Sequence, residues 1–250
     1  MTLREHIIEL RNRLVISVLA IVVCTVIGWF IYDQAFHLLT APFKSSVRQL
    51  DPTGKPPELI LGGVGDALTF RIKISALFGL LLAAPVWLYQ LWAFIAPGLH
   101  RSEKKWAILF ASIAAPLFAG GMAVAYWTLP KGIAILISFT PESVQNLIDL
   151  PHYLDFVIRT MLVFGIAFLI PLVVVLLNMV GIVPASVLGK FRPYIILVIF
   201  VFAAVATPSG DPFTMCLLAI PMCLLFFVAE VICRINDKRR SRKTEELLAD

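Results

Sequence analysis

Two carboxylates are placed where they could bind a cationic ligand. Glu103 lies in the polar segment FIAPGLHRSEKK, residues 94–105, where Phe94 and Trp92 put aromatic side chains just ahead of it. Glu9 occupies a similar position, in the polar stretch before the first apolar run. An acid beside aromatic side chains, together with a second acid in a matching place, indicates a binding site. The alternative is a solvated loop that only follows the charge bias of membrane-protein loops.

The composition indicates that these segments belong to a membrane protein. The chain has 250 residues, of which 60% are hydrophobic and 15% charged, whereas soluble domains are about half apolar and a quarter charged. The net charge of +5 needs no nucleic acid to explain it, because the basic residues collect at the ends of apolar runs. We expect an integral membrane protein.

The apolar runs predict an all-α fold with six transmembrane helices in a single domain over residues 1–250. A run of about 18 or more apolar residues is long enough to cross a hydrocarbon core of ~30 Å. The predicted spans are residues 14–32, 70–94, 106–129, 154–180, 194–206 and 213–230, followed by a polar tail over 234–250. The last two are short, so they either thin the bilayer locally or form a re-entrant hairpin.

Prolines interrupt several of these spans. Pro85, Pro116, Pro171 and Pro221 each remove a backbone hydrogen bond and are expected to kink their helices. Kinks in one bundle predict a concave assembly suited to cradling a partner. A long polar region, Asp33 to Asp66, separates the first two spans.

The distribution of basic residues predicts the orientation. Fourteen Lys and Arg residues lie in the segments on the side of the N-terminus, and four lie in those on the opposite side. The positive-inside rule therefore places both termini in the cytoplasm. Asp155 and Arg159, four residues apart at the outer end of the fourth span, are predicted to pair.

Signatures of catalysis and of metal binding are missing from the sequence. It contains neither HExxH nor GxxxxGK[ST], its four histidines are scattered near the ends of the spans, and its four cysteines lie in or beside apolar runs. Ionisable residues buried in a membrane usually mark a pump or relay, and spans one to five have none near their middle. We expect no enzyme, no metal and no cofactor.

Three segments together resemble the TatC family, the multispanning receptor subunit of the twin-arginine protein translocase. They are HIIELRNRL at 6–14, APVWLYQLWAFIAPGLHRSEKK at 84–105 and LAIPM at 218–222. The resemblance covers essentially the whole chain. It implies a protein of the prokaryotic plasma membrane, without cofactor, that self-associates in a receptor complex. It also implies binding of Arg-Arg signal peptides and transfer of folded cargo to TatA- and TatB-type subunits, driven by the proton-motive force.

The resemblance also implies roles for particular residues. Glu103 and Phe94 match the signal-peptide site of the first cytoplasmic loop, and Glu9, with Leu10, Arg11 and Arg13, matches the N-terminal motif. The positions implied for structure or for docking of partners are Pro42, Pro85 and, in the last outer loop, Asp211.

Two positions depart from the family pattern. Leu169 stands where many relatives have a glutamate in span four, and Met215 stands where many have a glutamine early in span six. Docking of a partner helix within the bilayer must therefore be more apolar in this chain, or use Thr207 and backbone carbonyls.

The chemistry of the ligand is consistent with the two acids. A guanidinium presents a planar fork of donors that pairs with a carboxylate through two hydrogen bonds, so Glu9 and Glu103 could each meet one arginine of a pair. The alternative for Glu9 is an ordinary helix-face pair with Arg13, four residues on.

Two other functions are compatible with a multispanning protein. A small-molecule permease should show inverted repeats and polar groups at mid-depth, and we find no convincing repeat between residues 1–125 and 126–250. A structural anchor for other subunits would not need paired cytoplasmic acids beside aromatic residues.

Overall fold

We describe the fold from a computed structural model of the chain. The backbone is described for residues 3–50, 58–60, 62–63, 65–95, 103–140, 147–181, 183–207 and 212–249. Side chains are described within these ranges except at 3, 5, 47–50, 58, 95, 103–107, 180 and 241–249.

Helices make up nearly all of the described chain. In order, the elements are α1 Leu3–Phe30, α2 Tyr32–Leu50, β1 Glu58–Ile60, α3 Asp66–Leu82, α4 Ala84–Ile95, α5 Glu103–Ser138, β2 Leu147–Asp149, α6 Leu150–Val180, α7 Ala185–Lys190, α8 Arg192–Ala206 and α9 Pro212–Ala249.

Among the described residues, four helices are individually long and apolar enough to cross a membrane. They are His6–Phe30, Ile108–Ser138, Leu150–Met179 and Pro212–Arg240. A fifth candidate is the pair Asp66–Leu82 and Ala84–Phe94, which is bent by 61°. Helix α8 is apolar but has only 15 residues, about 22 Å at 1.5 Å per residue. A crossing by α8, and with it the count of six spans, stays a prediction.

The structure confirms the all-α fold class and differs from the sequence analysis in three details. A small parallel pairing of β1 with β2, with Leu59 opposite Ile148, accompanies the helices. The polar region after the first span contains α2, an amphipathic helix of 19 residues to which we had assigned no helix. The sixth span is not a short helix, since α9 continues without a break through the polar tail for 38 residues.

By its contacts the chain divides into two compact units, Met1–Met161 and Leu162–Asp250. In the first unit, α1 runs antiparallel to α3 and then to α4. Two glycines permit the close approach of α1 to α3. A Cβ on Gly28 would lie 2.6 Å from the carbonyl oxygen of Ser75, and a Cβ on Gly79 would lie 2.7 Å from the backbone nitrogen of Thr25. Small residues at helix contacts in membranes allow such packing.

The bend between α3 and α4 has a local cause. Pro85 lacks a backbone N–H, so the helix cannot continue its hydrogen bonds through this point, and the break falls at Ala83. The indole Nε1 of Trp87 donates to the carbonyl oxygen of Leu80 at 3.0 Å. This bond satisfies a carbonyl that the interrupted helix leaves open, as burial in an apolar medium requires. By contrast, Pro116, Pro171 and Pro221 lie inside uninterrupted helices.

Helix α2 is tied to the other helices of the first unit by buried polar contacts. Ser46 Oγ donates to the carbonyl oxygens of Pro42 at 2.7 Å and Pro130 at 2.9 Å, and Tyr153 Oη donates to that of Leu39 at 2.8 Å. Pro42, a predicted structural residue, is fully buried within α2. These contacts position α2 on α5 and α6.

The predicted pair of Asp155 with Arg159 is wrong. Asp155 instead forms an ion pair with Lys73 on α3, with Oδ1 of Asp155 2.6 Å from Nζ of Lys73. On the same helix, Arg71 stacks on the rings of Trp29 and Tyr32, 4.6 and 5.2 Å from their centroids. The two basic residues of α3 therefore contact other helices of the first unit.

In the second unit, polar side chains join the end of α6 and the start of α7 to α9. Asn178 is 1% exposed, and its Nδ2 donates to Asp237 Oδ1 at 2.9 Å and to the carbonyl oxygen of Val183 at 2.9 Å. Asp237 Oδ2 accepts from the backbone N–H of Ala185 at 2.7 Å. The turn after α6 uses Gly181, whose φ of 90° favours glycine.

Candidate functional site

The predicted signal-peptide residues of the N-terminal segment meet the end of α4. His6 and Phe94 stack with ring centroids 4.7 Å apart and planes 17° apart. Because α1 and α4 run antiparallel, the first turns of α1 lie beside the last turns of α4. The structure therefore places Glu9, Arg13 and Phe94 on neighbouring parts of one helix pair.

Only one of the two carboxylate oxygens of Glu9 accepts hydrogen bonds from the described residues. Arg13 donates to Glu9 Oε1 from Nε at 2.9 Å and from Nη2 at 2.6 Å, so the helix-face pair that the spacing allowed is present. The other oxygen, Oε2, is buried and has no hydrogen-bond partner among the residues that the structure describes. A buried carboxylate oxygen without a donor is unfavourable, so this atom is suited to accept a further donor.

Gln90 links this acid to the second helix. Its side-chain Oε1 accepts a hydrogen bond of 3.2 Å from Arg13 Nη1. Arg13 is thereby held from both sides, by Glu9 on its own helix and by Gln90 on α4. The sequence analysis missed Gln90 and His6. The available signal was that Gln90 lies four residues before Phe94, so that both fall on one face of α4.

An apolar groove begins where these polar contacts end. It has a volume of about 250 Å³ and runs between α1 and α4. From α1 it is lined by Leu10, Leu14, Val18 and Ile21, together with Arg13 and Ser17; α4 contributes Trp87, Gln90, Leu91 and Phe94. Ser17 Oγ donates to the carbonyl oxygen of Arg13 at 2.9 Å. Its hydroxyl therefore places no further demand on an occupant.

The remaining signal-peptide residues fall outside this arrangement. Glu103 is the first residue of α5, and its side chain lies outside the described residues. Arg11 is exposed and its Nη2 donates to the side chain of its neighbour Asn12 at 3.3 Å. The structure thus brings Glu9, Arg13 and Phe94 together and leaves the approach of Glu103 to them as a prediction.

The residues predicted to dock partner helices are distributed over both units. Pro85 lies in the first turn of α4 and is exposed. In the second unit, Leu169 is buried in α6, Thr207 ends α8, and Met215 is half-buried in the first turn of α9. The hydroxyl of Thr207 is buried without a partner in the described part of the chain. Asp211 lies outside the described residues.

A metal site is not formed by the residues that the structure describes, among which no three His, Cys, Asp or Glu side chains are grouped to hold an ion. The arrangement at α1 and α4 offers a carboxylate, two aromatic rings and an apolar groove. These groups can bind a cation that is followed by apolar surface.

Comparison with known proteins identifies the family. The family model for the Sec-independent protein translocase protein TatC matches residues 5–221. The chain belongs to the TatC family. This assignment favours protein transport over a small-molecule permease, and the family is one of transport receptors and not of enzymes.

Curated TatC proteins match almost the whole chain. The Sec-independent protein translocase protein TatC of Frankia casuarinae is 41% identical over 248 residues, covering 97% of this chain and 68% of the relative. That of Xylanimonas cellulosilytica is 41% identical over 244 residues, covering 98% and 87%. That of Escherichia coli K12 is 36% identical over 240 residues, covering 95% and 90%.

Solved TatC structures share the fold. A crystal structure described as the twin arginine translocase receptor TatC superposes with a TM-score of 0.75 at 33% identity, covering 93% of this chain and 99% of that one. A second, of the receptor in DDM, gives a TM-score of 0.77 at 33% identity, covering 91% and 99%. The chain is therefore a multi-pass membrane protein of the twin-arginine translocase.

Proposed function

We propose that this chain is the signal-peptide receptor of a twin-arginine translocase. It binds the Arg-Arg pair of a signal peptide through Glu103 and Glu9 and brings folded cargo to TatA- and TatB-type subunits. Transport is driven by the proton-motive force. The chain lies in the plasma membrane of a prokaryote and associates with further copies of itself in the receptor complex.

One observation carries the proposal. Glu9 has a buried carboxylate oxygen without a donor among the described residues, on the same helix as His6, whose ring stacks on Phe94, in a chain whose solved relatives are described as twin arginine translocase receptors. An arginine supplies both the missing donor and a planar cation that can lie on an aromatic face. Arg13 already shows that this carboxylate accepts a guanidinium.

Leu169 and Met215 carry neither a carboxylate nor an amide, so the proposed partner-docking surface is apolar at both positions. The unpartnered hydroxyl of Thr207 at the end of α8 is the polar group best suited to meet a partner helix in this unit. We propose that TatA- and TatB-type helices dock mainly through apolar packing here, with Thr207 as their polar contact.

The charge distribution supports an orientation with both termini in the cytoplasm. A reporter fused after Lys55 or Glu142 is then expected outside the cell, and one fused after Lys105 or Lys190 inside. Exposure of the region around Lys105 to the exterior would contradict both the orientation and the placement of Glu103 at a cytoplasmic site.

The binding proposal is tested by titrating Arg-Arg and Lys-Lys signal peptides against the wild type and Glu103→Gln. A hydrogen bond to a charged group contributes about 1.5–3 kcal/mol, so loss of one arginine contact should lower the affinity about ten- to a hundredfold. The Lys-Lys peptide should bind the wild type less well, because an ammonium lacks the planar fork. If Glu103→Gln retains both the affinity and the preference for Arg-Arg, Glu103 is only a loop charge.

A further inference from the structure

Basic side chains gather where α6 ends and α7 begins in the second unit. Six of them are described there, together with two acids: Lys190, Arg192, Arg234, Lys238, Arg239 and Arg240, with Glu230 and Asp237. The connection from α6 to α7 follows a candidate span, so it lies at a membrane surface, and α9 packs along α7 at the same level. In the orientation proposed above, this is the cytoplasmic surface.

Both acids of this cluster are bonded within the protein. Glu230 accepts from Arg192 and Arg234 at 2.6–3.0 Å, and Asp237 accepts from α6 and from the first N–H of α7. Glu230 is buried, whereas the side chains of both arginines are partly exposed. A guanidinium has five N–H donors, so one carboxylate does not saturate two of them. The buried acid therefore orients two cations that an anion can still reach.

Apolar and aromatic side chains begin directly beside these cations. Phe191 and Tyr194 flank Arg192 at the start of α8, and their ring centroids lie 6.0 Å apart. Further along the helix, Leu197 and Val201 are exposed. Aromatic rings next to an apolar helix face are typical of the boundary between headgroups and hydrocarbon. The surface therefore has the order of a phospholipid, with cations to meet a phosphate and an apolar face to meet acyl chains.

The position of the cations favours a lipid over an acidic protein segment. Basic residues immediately cytoplasmic of a membrane helix attract anionic headgroups. These cations adjoin an exposed apolar face suited to hydrocarbon, which a soluble acidic segment does not enter. The 15 residues of α8 extend about 22 Å at 1.5 Å per residue. This length exceeds the ~15 Å of one hydrocarbon leaflet, so acyl chains have a surface along their whole length.

We propose that Lys190, Arg192 and Arg234 form a site for an anionic phospholipid of the cytoplasmic leaflet. The lipid phosphate contacts the guanidinium groups that Glu230 orients, and its acyl chains lie along the exposed face of α8. The site lies in the second unit and uses none of the residues assigned to the signal peptide. Its failure would leave the proposed receptor function untouched.

Native mass spectrometry of the full chain in detergent tests this site, with phosphatidylglycerol and phosphatidylcholine added in equal amounts. The wild type should retain at least about tenfold more phosphatidylglycerol, because each basic residue near an anionic lipid contributes about fivefold in affinity, or about 1 kcal/mol. Lys190→Gln and Arg234→Gln should each lower this ratio about fivefold. An equal retention of the two lipids by the wild type overturns the proposal.

The matched control is Arg159→Gln, which removes an exposed arginine from α6 in the first unit and should leave the lipid ratio unchanged. A loss as large as that in Lys190→Gln would show that only the net charge attracts the lipid, and would overturn the site.

A second comparison separates lipid binding from packing. Arg234→Gln removes a bond to Glu230, so its effect includes any change in the fold, which the melting temperature without lipid reports. Lys190 is exposed and has no ion pair with Glu230 in the described structure. A loss of lipid in Arg234→Gln without a loss in Lys190→Gln overturns the proposal.

Competition identifies the class of ligand. Inorganic phosphate and an octaglutamate peptide, each in tenfold excess over the lipid, should displace little phosphatidylglycerol from the wild type. Displacement by phosphate would indicate a plain anion site, and displacement by the peptide would indicate an acidic protein partner. Either result overturns the assignment to a lipid.

Photocrosslinking locates the lipid in the wild type. Phosphatidylglycerol with a diazirine near the top of one acyl chain should label Tyr194 or Leu197. Equal labelling of exposed residues in the first unit, such as Phe30 and Leu68, would show an unselective lipid shell and overturn the proposal.

Discussion

Two glutamates of this chain bind arginine in different ways. In the second unit, Glu230 has a side chain only 3% exposed and accepts from two arginines. Arg192 donates to Oε2 at 2.7 Å and to Oε1 at 2.6 Å, and Arg234 Nε donates to Oε1 at 3.0 Å. In the first unit, Glu9 is 22% exposed, accepts from Arg13 through Oε1, and has an Oε2 without a partner in the described structure.

The difference separates a structural acid from an acid that is available to a ligand. Both oxygens of Glu230 are occupied by residues of α8 and α9, so a further guanidinium would have to displace one already bound. Glu9 can accept a second donor while it keeps Arg13. Glu9 also lies within the residues matched by the TatC family model, 5–221, and Glu230 lies beyond them.

The largest expected effect is on stability at Glu230. Removing one partner of a buried ion pair costs about 3–5 kcal/mol. Arg192 and Arg234 are 42% and 56% exposed, and they can turn to water once released. For Glu230→Ala we therefore expect a loss of about 2–3 kcal/mol in the free energy of unfolding. The measurement is thermal unfolding in detergent.

The matched control for Glu230→Ala is Glu9→Ala, which should cost under about 1 kcal/mol because its pair with Arg13 is partly exposed. Equal destabilisation by the two substitutions would show that Glu9 is as structural as Glu230.

The next effect is on ligand binding at Glu9. Glu9→Gln keeps the size of the side chain and removes its charge, so the affinity for an Arg-Arg peptide should fall about tenfold, or about 1.4 kcal/mol. Glu230→Gln, assayed on folded protein, should leave this affinity unchanged. A loss of peptide affinity at Glu230 as large as at Glu9 would remove the functional distinction between the two acids.

A smaller effect is expected from the residue that orients Arg13. Gln90→Leu deletes the acceptor for Arg13 Nη1. A hydrogen bond to a charged group contributes about 1.5–3 kcal/mol, and this one, long at 3.2 Å and only partly buried, belongs at the lower end of that range. The affinity for the Arg-Arg peptide should change only a few fold, since Glu9 itself remains. Gln34→Leu, at an exposed position of α2, is the control for the change in polarity. An effect of Gln90→Leu as large as that of Glu9→Gln would make Gln90 a direct ligand of the peptide.

The smallest effect concerns the packing beside Glu230. A Cβ on Gly189 would lie 3.1 Å from Arg234 Nη2 and 3.5 Å from Glu230 Oε1, so Gly189→Ala displaces the end of a flexible side chain. We expect the gain in helix propensity, up to about 1 kcal/mol, to be largely offset. Gly120→Ala, with nothing within 4 Å of its Cβ, should show the gain. Equal melting temperatures for the two variants would indicate that Arg234 adjusts without cost.

Local patterns made part of this arrangement predictable. The spacing of Glu9 and Arg13 allowed their ion pair, which the sequence analysis gave as the alternative to ligand binding, and the apolar runs located the helices that hold them. The contact of Arg13 with Gln90 joins residues 77 positions apart, which no local spacing encodes. For the same reason Asp155 was assigned to Arg159 on its own helix, although Lys73, 82 positions away, is its partner.

Helix α2 was missed although its signal was present. Ala35, Leu39, Phe43 and Ser46 are buried and recur every three or four residues, the period of an amphipathic helix. Pro42 within the segment, and the polar residues around it, argued against a helix. Strand β1 could not have been predicted, because three residues form a strand here only by pairing with β2.

The pairing of β1 with β2 restricts how many times the chain between the two strands can cross the membrane. Irregular backbone and open strand edges are not stable in hydrocarbon, so both strands lie on the same side of the bilayer. The chain between them must therefore cross an even number of times. Helix α5, a candidate span, supplies one crossing, and the bent pair of α3 and α4 must supply the other. A re-entrant loop at Ala83 would leave the count odd and the two strands on opposite faces, so the pairing favours a bent pair that passes through the membrane.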